Sequence, residues 1–106
     1  MALEQRREAA SDMSPQTRDM HRALSSLIEE LEAVDWYQQR ADACQNEELK
    51  AILQHNGNEE KEHASMLIEW IRRNDPKFSK ELKDYLFTER SLAHDAAHTP
   101  EYSDRP

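Results

Sequence analysis

Between Pro15 and Pro76 the chain contains no proline and a single glycine, Gly57. Sheets need sharp turns, and turns draw on Gly, Pro-Gly and Asn-Gly pairs more often than this stretch provides. Long helices need none of them. The apolar pattern agrees: Met20, Leu24, Leu27, Leu31, Val34 and Ala41 recur mostly every three or four positions, the period of one helix face. Ser14 followed by Pro15 is a helix start, with serine as N-cap and proline at the first helical position. The spacing predicts a helix over 15–43.

Gln45-Asn46 reads as a turn, and Glu47 and Glu48 then supply the acidic first turn that favours a helix N-terminus. A second helix is expected over 46–73. Its stripe runs Leu49, Ile52, Leu53, Asn56, Glu60, His63, Leu67, Trp70 and Ile71, with Arg72-Arg73 at its C-terminal end. Asn74-Asp75-Pro76 breaks it and starts a third helix, whose face is Phe78, Leu82, Tyr85 and Leu86 and whose end is expected near Phe87 or Thr88. Asn56-Gly57 falls inside the second helix, where glycine costs about 1 kcal/mol against alanine. The stripe keeps its phase across it, so the helix is read through, with a local distortion just before Glu60 as the alternative. Residues 1–13 and 89–106 are polar and read as flexible ends. The domain is then 14–88, all-α: an antiparallel two-helix hairpin with a short C-terminal helix.

Only 37% of residues are hydrophobic and 34% are charged. One apolar stripe per helix is a thin core, and small helical chains often complete theirs by oligomerising. A net charge of −8 argues against nucleic acid and anionic membrane surfaces and suits cations. No apolar run approaches the ~20 residues of a membrane span, and the first residues lack the apolar core of a signal peptide. A single cysteine, Cys44, fits a reducing compartment, and a cytoplasmic protein is expected.

The chemistry lies where the second stripe stops being apolar. Glu60 and His63 are three residues apart, one helical turn on one face. Polar groups on a buried face need a partner, and a metal ion is one. On the first helix, Glu30 lines up with Leu27, Val34, Tyr37 and Ala41. Glu30 and Glu60 stand equally far from residue 45, so a hairpin folded there brings them level, roughly 22 Å from the turn. Carboxylate di-iron sites in four-helix bundles use two single glutamates and two Glu-x-x-His pairs. One chain carries half of that set, and a symmetric homodimer would carry all of it. Carboxylate with imidazole suits iron, manganese or zinc. The bland alternative is that Glu60 and His63 pair with each other or with Arg40 at an interface. Glu29, Glu32, Glu59 and Glu62 read most simply as a solvated face, with a cation entry path as the functional alternative. Tyr37 reads as core or as a hydrogen-bond donor beside a metal, and Trp36 and Trp70 as packing anchors. His21 and His55 fall off the stripe and read as solvated, as do His94 and His98 in the tail.

Glu29-Glu30-Leu31-Glu32-Ala33-Val34-Asp35-Trp36-Tyr37, Glu59-Glu60-Lys61-Glu62-His63 and Tyr85-Leu86-Phe87-Thr88-Glu89 together closely resemble the encapsulated ferritins, over roughly residues 17–90. These are iron-oxidising proteins carried inside encapsulin nanocompartments. The resemblance implies a dimer that rebuilds a ferritin-like four-helix bundle around a di-iron ferroxidase centre, with five dimers in a decameric ring. It implies iron ligands at Glu30, Glu60 and His63 from both subunits, a tyrosine near the iron at Tyr37, and a metal entry site at Glu29 and Glu32 beside Trp36. Iron(II) and dioxygen would be the substrates, and an encapsulin shell the partner and location. Cargo of this family usually ends in a Gly-Ser-Leu-type docking segment, whereas this sequence ends Tyr102-Ser103-Asp104-Arg105-Pro106. The expected function is that of a ferroxidase supporting iron storage. The alternative is a helical oligomerisation or metal-buffer module in which the metal only holds copies together.

Overall fold

The structure, a computed structural model, describes residues 7–93. After a short 3-10 turn at Ala10–Asp12 come three helices: α1 (Pro15–Ala43), α2 (Glu47–Asn74) and α3 (Pro76–Tyr85). The described residues contain no strand. The 3-10 turn is more order than the polar N-terminal sequence led us to expect. Residues 1–6 and 94–106, which include His94 and His98, lie outside the described residues.

Helix starts follow the local chemistry. The Ser14 hydroxyl accepts from the Thr17 amide at 3.1 Å, with Pro15 inside the first turn. Asp75 does the same for α3, accepting from the Phe78 amide at 2.9 Å ahead of Pro76. The side-chain oxygen of Asn46 accepts from the Leu49 amide at 2.9 Å, so the turn residue also caps α2. Each bond satisfies one of the amides that a helix start leaves unpaired.

The chain divides into two units, one up to Ile71 and one from Arg72 onward. In the first, α1 and α2 pack as an antiparallel hairpin. Its buried residues are mostly small: Ala23 and Ala41 on α1, Gly57 and Ala64 on α2, with Ile71 beyond them. Small contacts let helices approach closely but bury little area. Larger side chains are left half in water, including Leu24, Ile28 and Leu31 on α1 and Leu49, Ile52 and Trp70 on α2. The core is as thin as the composition implied.

Gly57 does not distort α2. The helix is unbroken, and Gly57 is buried in it. A Cβ built at Gly57 would stand 3.2 Å from the Cβ of Tyr37. The glycine is a point of close approach to α1, and its helix propensity is outweighed by what faces it.

In the second unit, α3 buries Asp84, 3% exposed, which receives a 3.1 Å hydrogen bond from Lys80. The Arg90 guanidinium donates to the Asp84 carbonyl and lies 5.1 Å over the Tyr85 ring. The Thr88 hydroxyl donates to the Tyr85 carbonyl at 2.8 Å. These side chains occupy carbonyls that a helix end leaves open. Phe87 follows with φ of 59°, the left-handed region that bulky residues seldom enter. The chain leaves the helix at Leu86, whose backbone is extended (φ −73°, ψ 142°), so α3 stops two to three residues earlier than the apolar spacing predicts.

Candidate metal centre

Glu30 comes from the middle of α1, and Glu60 and His63 from successive turns of α2. The hairpin brings one ligand-type atom from each within 4.8 Å of the others. His63 Nδ1 stands 3.4 Å from Glu30 Oε2 and 3.5 Å from Glu60 Oε2. The carboxylates are about three-quarters covered and the imidazole is half-exposed, at 25%, 24% and 47%. The set is therefore rooted between the helices and open on one side.

The electrostatics are those of an incomplete site. Glu30 is held above the ordinary carboxylate range, first by hydrogen bonding to Glu60, then by partial burial and the repulsion of the Glu60 charge; His63 opposes this. Two carboxylates so close are best served by a shared proton. Burial lowers the His63 pKa, but Glu30 and Glu60 outweigh it and the net shift is upward. Oε2 of Glu30 is sealed from water yet has no hydrogen-bond partner, and the 3.4 Å to His63 is longer than an ordinary N–H···O bond. Two acids and a histidine converging on a shielded, unsatisfied oxygen suit a divalent cation, which would replace the shared protons.

The other residues singled out in the sequence stand apart from this cluster. Glu29 is exposed and Glu32 half-buried, and neither joins it. His55 is exposed and pairs with Glu59 at 3.2 Å. His21 is half-buried, 3.5 Å from the Ser25 hydroxyl. Trp36 is 47% exposed, with the Arg40 guanidinium 5.9 Å over its ring and 5.7 Å over that of Tyr37. Arg40 is thus engaged by aromatic faces, and the Glu60–His63 pairing with Arg40 does not occur within the chain. A groove of about 760 Å³ on the hairpin, lined among others by Asp35, Asp42, Lys50 and Lys61, does not contain the donor set. Asp84 escaped the sequence reading; Lys80, four residues before it, was the signal that could have found a paired acid there.

The EncFtn-like family model matches residues 5–89. The chain belongs to the EncFtn-like family. Among its EncFtn-like relatives, an encapsulated ferritin-like protein of Rhodospirillum rubrum is 56% identical over 88 residues, covering 82% of this chain and 63% of that protein. A ferritin-like protein of Thermotoga maritima is 47% identical over 84% of this chain and 78% of its own length. An encapsulin nanocompartment cargo protein of Myxococcus xanthus is 38% identical over 76% of this chain and 62% of its own length. The chain thus spans under two thirds of the Rhodospirillum and Myxococcus proteins. A crystal structure of protein ne0167 from Nitrosomonas europaea, 65% identical, superposes with a TM-score of 0.81 over 84% of this chain and 98% of that one. The helical hairpin with a short third helix is therefore an EncFtn-like fold. Among the described residues no helix is long and apolar enough to cross a membrane.

Proposed function

We propose that this EncFtn-like chain is a ferroxidase, which binds two ferrous ions between two copies of itself and oxidises them with dioxygen. The observation that carries the proposal is the convergence of Glu30, Glu60 and His63 from facing helices. It is half of a bundle-type di-iron ligand set, so a second copy related by a two-fold axis completes it. The half-exposed Leu49, Ile52 and Trp70, on the α2 side that also carries His63, supply apolar area for that contact.

Iron enters this reading as substrate: each ferrous ion yields one electron to dioxygen and leaves as ferric ion. The chain's own groups bind and orient. Glu30 gives up the proton that its raised pKa favours, and both glutamates offer carboxylate oxygens. His63 binds as neutral imidazole. Glu29 and Glu32 lie on the helix that carries Glu30, outside the donor set, and act as an entry path for cations. Tyr37 presents a phenol from the same side of α1. The family's relatives, one of them encapsulin cargo, support a shell of encapsulin type as the partner and place of work. A decameric ring of dimers is the assembly that goes with this reading.

The test is anaerobic iron(II) titration followed by oxygen, for wild type and for Glu30→Ala, Glu60→Ala and His63→Ala. Wild-type oxidation no faster than buffer alone sinks the proposal. The large exposed apolar residues favour a second reading, a metal-held oligomerisation module without turnover. Native mass with and without iron, set beside oxygen consumption, separates the two: assembly without oxygen uptake favours the module.

A further inference from the structure

Two residues that the donor set does not use converge on Tyr37. On α2, Gly57 is buried, and its bare Cα lets the Tyr37 Cβ come so close that a methyl group there would stand at 3.2 Å. On α1, the Arg40 guanidinium lies 5.7 Å over the Tyr37 ring and 5.9 Å over that of Trp36. Arg40 has no carboxylate partner among the described residues, although acids outnumber Lys and Arg by 22 to 14. Local sequence explains this. The positions three and four before Arg40 are Tyr37 and Trp36, and those three and four after it are Ala43 and Cys44, so its helical neighbours on the N-terminal side are aromatic faces. Tyr37 is thus bounded by backbone on one side and a cation on the other.

Both contacts lie within about three helical turns of the metal centre. Tyr37 is two turns after Glu30 on the same side of α1, and Gly57 is one turn before Glu60 on α2. Helical side chains lean toward the N-terminus, so Tyr37 leans toward the turn that carries Glu30. We propose that Arg40 and Gly57 are positioning residues that hold Tyr37 in one orientation beside the Glu30, Glu60 and His63 set. This rests on the ferroxidase reading only for its kinetic consequence, since the clamp itself belongs to the metal-free chain.

The experiment therefore has two arms. In metal-free protein, near-ultraviolet circular dichroism reports how rigidly Trp36 and Tyr37 are held. Arg40→Ala and Gly57→Ala each reduce the Tyr37 signal, defined as the difference between wild type and Tyr37→Phe, with far-ultraviolet helicity unchanged. Arg40→Lys, which keeps a cation over the rings, restores it. In the iron(II) oxidation assay, Arg40→Ala lowers kcat about five-fold, the rate equivalent of one exposed cation–π contact. In a Tyr37→Phe background it lowers it no further. A wild-type near-ultraviolet spectrum for Arg40→Ala, or an undiminished effect of Arg40→Ala in the Tyr37→Phe background, overturns the proposal. Absence of oxidation in wild type refutes the ferroxidase reading instead, and the metal-free spectra still decide the clamp.

Discussion

Asp84 and Glu30 are both shielded carboxylates on amphipathic helices, and they are shielded to opposite effect. Asp84 is met by a base, Lys80, and next to it Arg90 takes up its backbone carbonyl. Glu30 is met by another acid and by a histidine, and one of its oxygens has no hydrogen bond. A carboxylate beside a cationic side chain is satisfied within the fold. One placed beside a second carboxylate is left to be satisfied from outside, and such perturbed groups mark candidate sites. The neighbour, more than the degree of burial, separates structure from chemistry here.

The largest effect expected from this contrast is at the metal centre. His63→Ala or Glu60→Ala lowers the rate of iron(II) oxidation more than about a hundred-fold, since even outer partners of metal ligands are worth about 10–100-fold. A smaller loss in stopped-flow absorbance would mean that the cluster is a surface feature. Asp84→Ala does the reverse. It destabilises the fold by about 1–3 kcal/mol in urea titration, because the buried bond between Lys80 and Asp84 is lost, and leaves iron stoichiometry unchanged. Altered stoichiometry would erase the distinction between the two acids.

Glu30→Gln sharpens the comparison through pH. An acid whose pKa is raised on folding binds more protons in the folded state, so stability falls as pH rises from the ordinary value of 4.5 through the raised one. Metal-free Glu30→Gln is therefore at least as stable as wild type at neutral pH, with the difference vanishing near pH 4. Iron binding by wild type runs the other way, weakening as pH falls and the ligands regain protons. Calorimetry across pH, with and without iron, reads both trends. The smallest effect is expected from Glu32→Ala: iron remains bound at the di-iron centre in crystals of that variant, and its loss there would place Glu32 among the ligands.

The elements that were legible in the sequence are those decided locally. Ser14-Pro15 and Asp75-Pro76 carry their own capping chemistry, and the bounds of α1 followed from it. The pairing of Glu30 with Glu60 and His63 was legible because a hairpin leaves only the position of its turn free. What escaped depends on residues distant in sequence or on backbone choices without a local marker. Gly57 looked like a weak point because its reason, Tyr37, sits on the other helix. The early end of α3 rests on Leu86, an apolar residue in phase with the stripe, turning to an extended backbone. Asp84 was not singled out, because its burial depends on the fold around α3 and only Lys80 marks it locally.

The short link between α1 and α2 also sets an order of events. Tyr37 and Gly57 lie twenty residues apart in sequence, Glu30 and Glu60 thirty, and every contact of the hairpin spans the same Cys44–Asn46 connection. Closing a longer segment is entropically harder, so the helices zip outward from the connection. The Tyr37–Gly57 approach forms before the donor set can, and a nascent chain presents its three ligands only after most of the hairpin has closed. On the proposed ferroxidase reading, iron then meets a prebuilt half of its site, and loading becomes a late step of assembly, coupled to the encounter of two finished subunits.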